Sequence, residues 1–494
     1  MIIAGSIGSD KTEILIKKYA ELLNSNIPAS KILVLLQNSN LKDKFIEKTI
    51  EQLKIDATEK FEVHSFFGLV YNTIIDNWAF LENRNTSNNT VILPNLAGLE
   101  ISQYLLKEII DEIKFKGYNS KHSLLHQLFR RYALIVQNNL TDKEIAERSK
   151  ILAEPFADEA QTALKKFLKR TLELRDFDYL RQTLLFNYIY QNSDYFSKIE
   201  YLILDDGDEI TPVCFDFIKY LKPQLKDVFI AFDKNGASRL GYLSADKNAA
   251  CKFEETFNQT AQTLETKTKL KHDAYTIFNN IVNNKADKLE HFLIQSPSKR
   301  ATMIELAIQK IKEVGKYDIK PNEISVITPI IDDMLKFTLK EHLNCNLKIL
   351  SGNEKLINNK FVKLALTLLK INSDLKSTLT EFDIRVILSD FLGIPVKYCR
   401  EILLIFEKTK ILPLYDFEDE IFNEKYNGLL KLIKQLQNSN AKLSEQVLKI
   451  FEYIPDFKNS SKDEIIKFNF FIKQLREFET IFGNEFENRK TEII

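Results

Sequence analysis

The first twelve residues, MIIAGSIGSDKT, decide the fold. An apolar run is followed by a loop with the spacing of the phosphate-binding motif GxxxxGK[ST], in which Asp10 replaces the last glycine. Leu15, Tyr19 and Leu22 then recur at helical spacing, so a helix should begin where the loop ends. In this order a strand, a loop and a helix aim backbone N–H groups at a phosphate. The stretch therefore predicts a P-loop.

Each part of the predicted loop has a role. Lys11 would reach the outer phosphates, and Thr12 would hold Mg²⁺. If Asp10 points inward, its carboxylate about 4 Å from a phosphate would cost about 4 kcal/mol at an effective dielectric constant near 20. The alternative is an ordinary strand, turn and helix with a solvated lysine. The residues predicted to bind nucleotide in this stretch are Gly5, Ser6, Ile7, Gly8, Ser9, Asp10, Lys11 and Thr12.

Further short apolar runs, at residues 32–36, 201–204 and 228–232, also end abruptly in polar residues. Continuous apolar runs separated by helical patterns are typical of strands buried on both faces of a parallel α/β sheet. The carboxyl ends of such strands line a ligand crevice. We therefore expect Lys11, Asp205 and Asp233 at one edge of the sheet, with Lys11 near Asp205.

The run at 201–204 leads into an acidic turn, Asp205-Asp206-Gly207-Asp208-Glu209. At the end of a buried strand, one carboxylate can hold the metal while its neighbour positions or deprotonates the attacking water. Two neighbouring carboxylates of this turn could therefore serve the metal, together with Thr12, and the attacking water. Taken alone, the turn is equally consistent with an ordinary acidic loop.

The chain is long enough for about three domains or subdomains. We predict a first α/β domain from residues 1–88 and 176–288, interrupted by a helical insertion at 89–175. A second α/β unit should begin over 289–351, with strands at 291–294 and 324–327 around a helix. A second helical insertion would occupy 352–494.

Composition narrows the function classes. Lys and Arg total 69, as do Asp and Glu, so there is no global charge that favours nucleic acid, and any DNA contact must be local. The four cysteines form no CxxC pair, which argues against a zinc site or a disulfide framework. No apolar run approaches the ~20 residues of a membrane span, and no secretory signal opens the chain. We expect a cytoplasmic protein without membrane contact.

The order of these segments resembles the UvrD-like superfamily 1 DNA helicases. Residues 32–41 are similar to the family's second motif, a strand followed by TFTNKA. Residues 63–66, VHSF, resemble its FHSF segment, which touches single-stranded DNA. The resemblance implies DNA contacts from Asn38, His64 and Ser65. For His64 taken alone, the alternative is a partly buried histidine with internal partners.

Later segments extend the resemblance. Residues 176–180, DFDYL, look like the family's DFxDL helix, and YLILDDGDEITP at 201–212 looks like its VDExQDTNP motif. In this match Asp205 falls on the metal-linked aspartate, Asp206 on the catalytic glutamate and Asp208 on the glutamine. Residues 228–241 are similar to the motif with GDxxQSIY, with Gly236 where the family has its γ-phosphate-sensing glutamine. Lys269 takes the place of a family arginine that contacts the γ-phosphate. The resemblance therefore implies that Lys269 binds nucleotide.

The resemblance implies two RecA-like lobes, the second one partial, that bind ATP and Mg²⁺ and move single-stranded DNA in the 3′ to 5′ direction in repair or recombination. We also expect the adenine-reading glutamine segment upstream and the late arginine-finger motifs to be absent from the chain. Activity should then be impaired. The alternative is a catalytically inactive scaffold or DNA-binding subunit with a protein partner. A P-loop kinase or small NTPase is disfavoured by the ordered later motifs.

Overall fold

The chain divides into two compact units, Met1–Phe292 and Leu293–Ile494. The computed structural model describes residues 1–6, 8–53, 60–82, 95–96, 98–113, 115, 120–237, 239, 245–246, 248–265, 273, 276–277, 280–281, 283–285, 295–317, 319–343, 347, 349, 355–453 and 461–493. Within these ranges, no helix combines the length and the apolar character needed to cross a bilayer.

The first unit is built on a parallel sheet of six strands in the order β3-β2-β4-β5-β1-β6. The four apolar runs predicted as strands are all in it, so this prediction is confirmed. The two additional strands lack a long apolar run, and the last is only two exposed polar residues. The strands are β1 (Ile2–Ala4), β2 (Ile32–Leu36), β3 (Val63–Ser65), β4 (Tyr201–Leu204), β5 (Asp227–Phe232) and β6 (Gln262–Thr263).

Helices cover both faces of this sheet. Alternate strand residues point to opposite faces, so Ile203 packs in one core while Leu202 and Leu204 pack in the other. The first core is covered by α1 (Lys11–Asn24) and α2 (Lys42–Ile50). The second is covered by α3 (Phe66–Asp76), α4 (Trp78–Glu82), α9 (Tyr179–Asn192), α10 (Pro212–Leu221) and α11 (Ala249–Phe257). This is the doubly wound arrangement in which ligands bind at the carboxyl ends of the strands.

Between α4 and α9, the described residues form four helices and contribute no strand to the sheet, as the helical periodicity predicts. These helices are α5 (Leu99–Ile113), α6 (Lys121–Gln137), α7 (Asp142–Ile151) and α8 (Ala157–Glu173). Asp178 joins two of them, α5 and α6, to α9: its buried carboxylate caps the start of α9 and accepts hydrogen bonds from Ser102 and Tyr132. Burial raises the pKa of Asp178.

In the second unit, the described residues are helical and contain no strand. The predicted helix is present as Arg300–Val314, with Ile304 and Ile308 buried. The predicted strand at 324–327 is wrong, and the one at 291–294 lies outside the described residues. Ile327 is 95% exposed, so this apolar run is not the core strand that its composition indicated. The other α-helices are Asp333–Leu343, Lys360–Ile371, Glu381–Val386, Val396–Thr409, Glu420–Gln437, Leu443–Tyr453, Lys462–Phe482 and Phe486–Ile493.

Candidate nucleotide site at the carboxyl edge of the sheet

The loop between β1 and α1 lies at the carboxyl edge of the sheet. Gly5 N donates to Phe232 O at the end of β5 (3.0 Å), which fixes the start of the loop between two central strands. Ser9 is buried, and its hydroxyl closes the loop by donating to Ser6 O (2.9 Å). α1 then begins at Lys11. The strand, loop and helix required for a P-loop are therefore present in the expected order.

Asp10 occupies the last loop position in the left-handed region, with φ of 59° and ψ of 28°. Glycine adopts this conformation without steric cost, and aspartate is among the few other residues that tolerate it. The glycine of the motif thus corresponds to a real backbone requirement in this chain. The side chain of Asp10 makes no capping hydrogen bond to α1.

Lys11 and Thr12, the first residues of α1, face different partners. The Lys11 ammonium donates to Gly5 O (2.5 Å), so it lies over the loop that would receive the phosphates. Thr12 Oγ1 donates to Asp205 Oδ2 (2.7 Å), across 193 positions of sequence. Together these contacts confirm the prediction that Lys11 and Asp205 lie close together at one edge of the sheet.

The acidic turn after β4 concentrates negative charge beside this loop. Asp205 is buried, and burial raises the pKa of its carboxyl against the lowering effect of the Thr12 hydrogen bond and the Lys11 charge. Asp206 is in the left-handed region, with φ of 49°. Burial first, and then the charges of Asp205 and Asp208, raises the pKa of Asp206 to about 6. A carboxyl with this pKa can exchange a proton near neutral pH.

The oxygen ligands near Thr12 are too few to coordinate a metal ion alone, but they suit Mg²⁺, which needs only one or two protein ligands. Among the described residues, no group of three or more His, Cys, Asp or Glu side chains could hold a metal ion. Mg²⁺ commonly takes one or two protein oxygens and completes its shell with water and substrate phosphates. Thr12 and Asp205 provide such a pair, and their oxygens are already 2.7 Å apart.

Asp208 clamps the loop that follows β5. Its Oδ1 accepts from Asp233 N (2.8 Å) and its Oδ2 from Ala237 N (3.3 Å). A Cβ on Gly236 would come within 1.8 Å of Oδ2, so any other residue at this position would displace the carboxylate. These contacts place Asp233 at the predicted edge. They also explain physically why the predicted sensor position is a glycine: the carboxylate of Asp208 takes the space.

A small cavity of about 60 Å³ adjoins Asp206 between the ends of β2 and β4. The sequence motifs assign no site role to Arg239, Phe66 or Phe67, although these residues share this cavity with the acidic turn. No spacing motif links them, because they come from the start of α3 and from a loop far along the chain. The polar and aromatic residues that line it are Gln37, Phe66, Phe67, Asp205, Asp206, Glu209, Thr211 and Arg239.

The three residues predicted to contact DNA follow β2 and end β3, at the same edge. Asn38 Oδ1 accepts from Asn40 N (3.0 Å), and Ser65 Oγ accepts from Gly68 N (3.2 Å) at the start of α3. His64 is only 4% exposed; its ring nitrogens lie 2.9 Å from Glu62 Oε2 and 3.4 Å from Asn72 Nδ2. This environment supports the alternative in which His64 is an internally paired histidine.

Two residues predicted to bind nucleotide, Ile7 and Lys269, lie outside the described residues. The other predicted site residues are brought to one edge of the sheet by β1, β2, β3 and β4.

Comparison with known proteins does not identify a family for this chain. Its sequence matches no family model, and no curated protein matches it.

Proposed function

We propose that the first unit binds a nucleoside triphosphate, with ATP as the expected ligand, together with Mg²⁺. The observation that carries this proposal is the hydrogen bond from Thr12 to Asp205. It joins the start of the predicted P-loop helix to the end of a different strand, where both oxygens would serve one cation. An unrelated loop and acidic turn have no reason to meet with this chemistry.

Each side chain has a defined task in this proposal. The loop N–H groups and the start of α1 would face the phosphates, and Lys11 would exchange its bond to Gly5 O for a phosphate oxygen. Thr12 and Asp205 would hold Mg²⁺, which neutralises phosphate charge when bound. Asp206 would orient water, and its carboxyl can accept a proton because burial and the neighbouring acids favour its neutral form.

The wider proposal is a UvrD-like DNA helicase or DNA-dependent ATPase of reduced activity, with single-stranded DNA at the same edge and 3′ to 5′ movement implied by the resemblance. It is supported by the position of Asn38 just after β2 and of Ser65 at the end of β3. Their amide and hydroxyl groups are donors that suit DNA phosphates, although each side-chain oxygen also accepts a backbone N–H. The buried His64 adds no support.

A second candidate, a helicase-fold scaffold or DNA-binding subunit without turnover, is favoured by the Asp208 clamp. The clamp fixes the loop after β5 with a structural carboxylate and leaves no room for a side chain at Gly236. A loop held in this way would present no side chain at position 236 to the γ-phosphate. The two candidates share nucleotide and DNA binding and differ in hydrolysis.

Nucleotide binding is tested by titrating the chain with a fluorescent ATP analogue in Mg²⁺ and in EDTA. We expect Mg²⁺ to tighten binding, and Asp205→Asn to weaken the Mg²⁺-dependent part at least about tenfold. Asp43→Asn is the matched control, since Asp43 is an exposed acid in the first turn of α2. If the affinity for the ATP analogue changes neither with Mg²⁺ nor with Asp205→Asn, the proposed site is refuted.

Hydrolysis separates the two candidates. Phosphate release is measured with and without single-stranded DNA, using Asp206→Ala as the inactive reference. Stimulation by DNA above this reference supports the helicase candidate. Binding of nucleotide and DNA with release equal to the reference supports the scaffold.

A further inference from the structure

Two histidines meet on the solvent side of α6, far along the chain from the nucleotide site. His122 and His126 are both exposed and one helical turn apart. Their Nε2 atoms lie 3.1 Å from each other, and the rings are nearly perpendicular, with centroids 4.4 Å apart. Side chains at i and i+4 share one helix face, which is how helical metal sites present two imidazoles to one ion.

We infer that His122 and His126 form a two-ligand site for a divalent transition metal ion such as Zn²⁺ or Ni²⁺. Two metal–nitrogen bonds of about 2.05 Å at a near-tetrahedral angle place their nitrogens about 3.3 Å apart. The observed 3.1 Å therefore requires only a small side-chain adjustment. In the neutral pair a hydrogen lies between the two nitrogens. When the metal binds, the ring with Nε2–H changes tautomer by proton exchange with water, so that each ring carries its proton on Nδ1, each Nε2 lone pair faces the ion and no net proton is released.

The helix backbone holds the pair in register. Leu124 and Leu128 are 4% and 2% exposed, so the opposite face of α6 is anchored in the protein. The first turn is capped by Ser120, whose hydroxyl accepts from Ser123 N (3.3 Å). Only side-chain rotation is then needed to bring both imidazoles onto the ion, which lowers the entropic cost of binding.

The imidazole ligands determine which metal ions the pair would bind. Imidazole nitrogens favour zinc, nickel and copper over Mg²⁺ or Ca²⁺, which prefer oxygen. Within the described ranges no third His, Cys, Asp or Glu completes a cluster, so solvent or an incoming ligand would fill the other coordination positions. The positive end of the α6 dipole lies near the pair and opposes a cation, so moderate affinity is expected. This site is independent of the proposed nucleotide function.

The experiment is a calorimetric titration of the full chain with Ni²⁺ in a non-chelating buffer. We expect one ion per chain, with binding weakened at least about tenfold in His126→Gln and in His122→Gln. The matched control is His342→Gln, which removes an exposed helical histidine whose Nδ1 contacts Thr338 O (2.8 Å). A second control, Cys251→Ser, removes an exposed thiol.

Two further measurements guard against a folding artefact and against non-specific binding. Ni²⁺ should raise the thermal midpoint of the wild type and of both controls but not of His126→Gln, because only bound metal stabilises the native helix. With Cu²⁺, electron paramagnetic resonance should show two nitrogen donors in the wild type and one in His126→Gln. Equal Ni²⁺ affinity in the wild type and His126→Gln, or no stoichiometric binding by the wild type, would overturn the inference.

Discussion

Two loops at the same edge of the sheet are held by different kinds of contact. The loop after β1 accepts a hydrogen bond from Lys11 at Gly5 O, and Thr12 in the following helix donates to Asp205. In the loop after β5, the Asp208 carboxylate accepts hydrogen bonds from two backbone N–H groups and fills the space beside Gly236. The Lys11 and Thr12 contacts and the Asp208 contacts with the loop after β5 are separate sets, so mutations can alter one set without the other.

The largest expected effect tests whether the first loop is a binding site at all. Lys11→Ala should weaken Mg-ATP binding by about a hundredfold or more, about 2.7 kcal/mol, because the ammonium is the charge placed over the loop. Fluorescence titration measures it, and circular dichroism confirms folding. Lys17→Ala, an exposed lysine on the same helix, should bind like the wild type. Equal loss in both variants would mean general electrostatics rather than a site.

The second prediction tests the clamp. Gly236→Ala should lower the free energy of unfolding by about 2 kcal/mol, since the new Cβ displaces a buried carboxylate from two backbone N–H groups. In an Asp208→Ala background the same change should have little further effect. Urea denaturation of the four-member cycle measures the coupling. Additive effects would show that Asp208 and Gly236 are independent.

The third prediction concerns Asp10, whose negative charge and left-handed backbone conformation are both expected to be unfavourable. Asp10→Gly removes a negative charge near the phosphate site and relieves the left-handed backbone at φ of 59°. Mg-ATP binding should tighten at least about tenfold, ~1.4 kcal/mol. The gain should vanish in the Lys11→Ala background. Unchanged affinity in Asp10→Gly would place the carboxylate toward solvent and leave only the backbone role of this position.

The parts of the fold predicted from sequence are those with a local signal. Four buried strands were predicted from apolar runs in the sequence. The predicted position of Lys11 and Thr12 beside Asp205 is also confirmed. The second unit shows the limit of this reasoning, because the apolar run at 324–327 is largely exposed rather than a core strand. Composition reports that a segment is apolar, whereas burial depends on the neighbours that tertiary structure supplies.

The site shows the same limit. The Asp208 clamp joins residues from two loops, so no single stretch of sequence contains it. The resemblance predicts a missing sensor at Gly236, and the structure shows the Asp208 carboxylate in the space that a side chain at this position would need. His64 is the reverse case: a motif position suggested DNA contact, while Glu62 and Asn72 occupy its ring nitrogens.

The smallest expected effect tests the electrostatics of the acidic turn through Asp206. Burial first, and then Asp205 and Asp208, raises its pKa from 3.8 to about 6 in the folded chain. Below about pH 4 the Asp206 carboxyl is neutral in both the folded and the unfolded chain, so it does not lower the free energy of unfolding. Between about pH 4 and 6 the folded state holds the proton longer, so rising pH lowers the free energy of unfolding.

Asp206→Asn removes this titration and also one repulsive charge beside Asp205. Because Asp206 is partly solvated, we expect the variant to gain only about 1 kcal/mol over the wild type at pH 7.5, and less as the pH falls toward 4. Urea denaturation across this range measures the difference, and the exposed Asp43→Asn should follow the wild-type curve. Parallel curves for the wild type and Asp206→Asn would mean that the acidic turn carries no charge strain. Asp206 would then titrate as an ordinary surface acid, poorly suited to accept a proton from water near neutral pH.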